Sequence, residues 1–138
     1  MTQNKNRPDK LTKLIDEMEE AYEFMLAYAA QGRQGNEDSG TEEIRTFLKQ
    51  ADTALAGLLA ASSASVEKQG LSSTASFQNF FSVLEQDIKK SQTIIQLVLD
   101  QSCISSLMVD NLNGSIHLRA LLTDLFLIDE ILKAQVQN

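Results

Sequence analysis

At 138 residues the chain has room for one domain built on a single core. Its formal charge of −7 reflects 19 acidic against 12 basic residues, and the basic clusters are Lys5 to Lys13, interrupted by Asp9, and the pair Lys89-Lys90. Neutralising phosphates takes clustered Lys and Arg, so no nucleic-acid partner and no membrane association are expected.

Pro8 is the one proline; Leu, Ala, Gln, Glu and Ser dominate, while Val and Thr are sparse. That balance favours helix over strand, and no window alternates apolar and polar residues with a period of two. The expected fold is all-α: an antiparallel helical bundle of four long helices at about 9–31, 41–68, 74–99 and 102–136, or of five if the last is broken at Asn113-Gly114. Residues 1–8 are polar and read as a disordered tail, leaving 9–138 as a single helical-bundle domain. Apolar runs such as Phe24–Ala30 fall far short of the ~18 residues of a transmembrane helix. Met1–Arg7 has no apolar centre for a signal peptide, and a lone Cys103 forms no intrachain disulfide. The expected location is the cytoplasm.

Pro8 and Asp9 open the first helix, since Pro suits the first turn and Asp accepts from exposed N–H groups. Leu11, Leu14, Ile15, Met18, Tyr22, Met25 and Ala29 share one face, with Asp16, Glu17, Glu19, Glu20 and Glu23 opposite. From Phe24 onward the helix is apolar nearly all round, which implies cover on more than one side. Gly32 ends it with a left-handed cap. Gly32 to Gly40 holds three glycines and no hydrophobe. A phosphate-cradling loop would need a strand before it and Lys with Ser or Thr after its last Gly. Here a helix precedes and Thr-Glu-Glu follows, so the segment reads as a connector with nothing to bury.

Ser39 with Glu42 forms a capping-box pattern, and Thr41 is an equally good cap for the second helix. Its face is Ile44, Phe47, Leu48, Ala51, Ala54, Leu55, Leu58 and Leu59. Ala60–Val66 keeps the phase but swaps Leu for Ser and Ala, the mark of a close helix approach or of a fraying end. Gly70 stops it. Ser72, Ser73 and Thr74 offer caps for a third helix, whose stripe is Phe77, Phe80, Phe81, Leu84, Ile88, Ile95 and Val98, with Ser91 as a small break.

The next stripe lies almost half a turn away. Ile104, Leu107, Asn111, Gly114, Leu118, Leu121, Leu125, Ile128 and Leu132 keep a four-three spacing, apolar at seven of nine positions. The phase jump places a turn at Leu99–Cys103, with Asp100 or Ser102 capping the last helix, although no Gly or Pro eases the turn. The favoured form is then one helix about 50 Å long, in which Asn111 holds register and Gly114 permits close approach. The other form turns at Asn113-Gly114.

Residues for chemistry are few. One histidine, His117, excludes the paired Glu-x-x-His di-iron motif, and no Cys/His set has zinc spacing. His117 reads as a solvated flank residue and Cys103 as a small core filler. No catalytic residue, cofactor or metal ligand is nominated, and the balance leans away from an enzyme. The acids Asp16, Glu19, Glu20 and Glu23 form a solvated face or a docking face for a basic partner. Phe24, Tyr28, Ile104, Leu107, Asn111 and Leu118 form the expected interface with a partner or a second copy. The expected function is a non-enzymatic interaction protein (adaptor, assembly chaperone or regulatory subunit), acting as a homodimer and on a further, unidentified protein. The competing expectation is a small-molecule-binding or sensor bundle with a pocket at Tyr22, Phe24, Met25 and Tyr28.

Overall fold

The computed structural model describes residues 9–36, 41–71 and 74–137. The tail through Pro8 and the capping positions Ser39, Ser72 and Ser73 lie outside the described residues, as does the side chain of Thr41. Among the described residues every regular element is a helix: α1 Lys10–Ala29, α2 Thr41–Lys68, α3 Ala75–Leu99, α4 Ser106–Asn113 and α5 Ile116–Gln137. None of them is long and apolar enough to cross a membrane.

Four helices run up and down in turn. Asp9, before α1, accepts from the hydroxyl of Ser65 near the end of α2 at 2.8 Å. Arg45 early in α2 reaches the carbonyl of Leu99 at the end of α3, and Ser91 late in α3 donates to the carbonyl of His117 early in α5. The pairs α1/α2, α2/α3 and α3/α5 are therefore antiparallel, and α4 lies against α1. The stripes read from sequence supply the core: Leu11, Ile15, Met18 and Met25, then Ile44, Leu48, Leu55 and Leu58, then Leu84, Ile88 and Ile95 are all buried. Along α5 the seam positions Leu118, Leu121, Leu125, Ile128 and Leu132 are buried as well.

Asp9 caps α1 by accepting from the Thr12 N–H at 2.9 Å. Burial pushes the Asp9 carboxyl up, but bonds from Thr12 and Ser65 outweigh that and hold its pKa below the ordinary 3.8. The small-residue end of α2 is closely packed rather than frayed, with Ala61, Ser62, Ser65 and Val66 buried. Gly32 and Gly70 take the left-handed conformation expected after α1 and α2, at φ 65° and 75°.

The connector after α1 differs from its expectation. Gly35 is buried, at φ 93°, and a Cβ there would stand 2.7 Å from the backbone of Ile104. This loop, free of hydrophobes, is pressed against the turn after α3 because glycine lets two backbones meet. The turn itself has no Gly or Pro, and Arg45 takes their place. Its guanidinium donates to the carbonyls of Leu99, Gln101 and Ser102, acceptors that the end of α3 leaves unsatisfied.

The last segment corrects the favoured form. It does not run as one helix from residue 102: Ser105 caps α4 by accepting from the Met108 N–H at 3.1 Å, in place of Asp100 or Ser102. A second break then separates Asn113 from Ile116, giving the five-helix form. Within α4 the residues turned inward are Ser106, Val109, Leu112 and Asn113, while Leu107, Asn111 and Gly114 face out. The four-three seam is thus buried from Leu118 onward and lapses at Leu107, Asn111 and Gly114. The reason lies in Asn113, whose amide donates to the Met25 carbonyl of α1 at 3.1 Å. That bond rotates α4 onto α1, whereas α5 packs on α3.

Candidate functional site

A buried polar cluster near the end of α1 is structural in its bonding. Tyr28 is fully buried, and its hydroxyl donates to the Ile104 carbonyl at 2.6 Å. The Ser106 hydroxyl donates to the Tyr28 carbonyl at 2.7 Å and accepts from the Arg33 N–H at 2.8 Å. The Ser106 N–H donates to the Arg33 carbonyl at 2.9 Å. These bonds fasten the connector after α1 to the start of α4.

The residues expected to line a pocket are spread over different surroundings. Met25 and Tyr28 are fully buried, Tyr22 and Phe24 half-buried, and the Phe24 ring stacks on Phe47 with centroids 4.4 Å apart. An open cleft of about 340 Å³ lies elsewhere, lined by Asp9, Lys10, Ala60, Ala61, Ala64, Ser65 and Lys68. Its floor is the small-residue end of α2.

Of the expected interface residues, Tyr28, Ile104 and Leu118 are covered within one chain, while Leu107 and Asn111 stand on the outer side of α4. Leu107 is 67 % exposed, its neighbour Met108 38 % and Ile116, in the first turn of α5, 75 %. These three flank the elbow at Asn113-Gly114.

The acidic face is present on α1. Asp16, Glu20 and Glu23 are exposed and Glu19 is half-buried, and Glu20 accepts from the Gln50 side chain at 2.8 Å. Burial raises the Glu19 pKa, and the charges of Asp16, of Asp129 on α5 and of Glu23 raise it further, with Lys133 pulling the other way. Lys133 is itself held by Asp129 at 2.9 Å.

A second acidic feature escaped the sequence. Asp124 of α5 meets Asp87 of α3, and burial, the hydrogen bond its protonated form makes to Asp87 and the charge of Asp87 push its pKa up to about 7. Its Oδ2 is buried and has no partner unless it carries a proton. Protonated, it donates to Asp87 across the α3–α5 contact. The two residues are far apart in sequence and sit beside unrelated stripes, so no local pattern marks them.

Cys103 is exposed in the turn before α4, not a core filler. His117 is half-buried, and its backbone N–H donates to the Ser115 hydroxyl. Among the described residues no three His, Cys, Asp or Glu side chains converge as a metal site would require. No family profile, curated protein or solved structure matches this chain.

Proposed function

We propose that the protein is a non-enzymatic interaction bundle, an adaptor, assembly chaperone or regulatory subunit, that works as a homodimer joined through the α4–α5 elbow. The observation that carries this is the exposure of Leu107, Met108 and Ile116 within ten residues of chain on both sides of one helix break. Single exposed hydrophobes are ordinary, but a local group of large ones is the composition of an interface centre. The expectation of a coiled-coil seam is replaced by a patch of smaller extent. Leu107 and Asn111 belong to it, whereas Tyr28, Ile104 and Leu118 are buried.

Sedimentation equilibrium at micromolar concentration tests the proposal. The wild-type chain is expected to sediment as a dimer, and Leu107→Asp with Ile116→Asp as a monomer of unchanged helical circular dichroism. A wild-type chain that stays monomeric at tens of micromolar would rule out self-association through the elbow.

A further inference from the structure

The elbow carries a pattern of charge beside its hydrophobes. Asp110 stands three residues after Leu107 on α4, and Arg119 three after Ile116 on α5, so each lies on the same flank of its apolar neighbour. Both are exposed, and among the described residues neither side chain has an ion pair or a hydrogen bond within the chain. They are also evenly placed about the helix break. Asp110 comes four residues before Gly114, and Arg119 four after Ser115.

Gly114 sits at the centre of this arrangement, and its own chain does not require a glycine there. Its backbone lies in the right-handed region, at φ −82° and ψ −4°, which residues with a side chain also adopt. A Cβ at this position would come no closer than 3.6 Å to the Asp110 carbonyl oxygen, an ordinary contact. The residue is exposed, so the missing side chain leaves the backbone of the elbow open to approach from outside.

A second copy turned about a two-fold axis through the Gly114-Ser115 bond draws on all of these features. Such an axis maps each residue onto its counterpart at an equal distance beyond the break. Two helices related in this way run antiparallel and meet along the same flank, so Asp110 faces the partner's Arg119 at both ends of the contact. Ile116, close to the axis, meets its own copy, and Leu107 extends the apolar strip outward. We propose that the elbow is an isologous self-docking surface, with its axis at Gly114 and its register set by reciprocal Asp110–Arg119 pairs. This rests on the homodimer reading and adds what fixes the geometry of that dimer. The pairs orient the two chains more than they hold them, because exposed ion pairs contribute little while like charges set opposite one another are costly. Partly covered at the contact, they are screened by salt less than the long-range repulsion between two acidic chains.

Charge-reversal variants of the full chain, followed by sedimentation equilibrium, test this arrangement. Asp110→Arg sets Arg against Arg at both contacts and is expected to weaken the dimer by about tenfold or more, although it makes the chain less acidic. Arg119→Asp sets Asp against Asp and is expected to weaken it likewise. In an equimolar mixture of the two variants each pair is of opposite sign again. A mixed dimer is therefore expected to form, read with one variant fluorescently labelled. Gly114→Leu is expected to keep the helical circular dichroism and the thermal midpoint while weakening the dimer by about the same factor, since its side chain would stand on the axis. Reversal variants that dimerise as tightly as the wild type, a mixture that stays monomeric, or a Gly114→Leu dimer as tight as the wild type would each overturn the proposal. Those results leave the homodimer itself standing, whereas a monomeric wild-type chain removes both.

Discussion

Two buried oxygens show how differently one interior treats a polar atom. The Tyr28 hydroxyl is fully enclosed and satisfied by the Ile104 carbonyl, so its burial costs little. Oδ2 of Asp124 is also enclosed, but it finds a partner only while it carries a proton to donate to Asp87. That difference has a pH dependence with a definite sign. The folded pKa is about 7 against the ordinary 3.8, so between those values the folded chain binds a proton that the unfolded chain has released. Stability from this group is complete below the unfolded value and is lost as pH rises through about 7. Asp124→Asn keeps a donor toward Asp87 and removes the titration. In urea denaturation followed from pH 5 to pH 8, the wild type is expected to lose stability relative to the variant, which becomes the more stable of the two at the upper end. Parallel curves for the two proteins would show that Asp124 does not keep its extra proton in the folded chain.

At the scale of the helix, burial follows periodicity and the breaks do not. The stripes of α1, α2 and α3 were legible because one apolar face at a period of 3.6 is both the sequence signal and the physical cause of packing. Leu121 sits in the part of the last seam that packs as read, and it is fully buried. Leu121→Ala is expected to cost about 2–5 kcal/mol in chemical denaturation, and a loss under half a kcal/mol would remove that seam from the core. Residues 102–115 were illegible for a different reason. Their conformation is decided by bonds to distant residues: Arg45 to the end of α3, Ser106 to Tyr28 and Arg33, and Asn113 to Met25. Local caps and heptads carry no trace of those partners, so Asn111 looked like a register residue when it is Asn113 that is buried. The acidic face was legible as a run of charges on α1, but its extension to Asp129 was not, because that neighbour comes from the other end of the chain.

For the molecule as a whole, the charge of −7 works against self-association. Dimerisation through Leu107, Met108 and Ile116 brings two acidic bodies together over apolar contacts, and the long-range term opposes it. Salt screens that term, with the Debye length falling from about 30 Å at 0.01 M to about 8 Å at 0.15 M. Raising salt over that range is therefore expected to tighten the dimer. Apolar burial is little altered by so modest a change, so the sign comes from charge alone. Sedimentation on one salt series measures the constant, and a dimer that weakens as salt rises is held by ion pairs and not by the elbow hydrophobes.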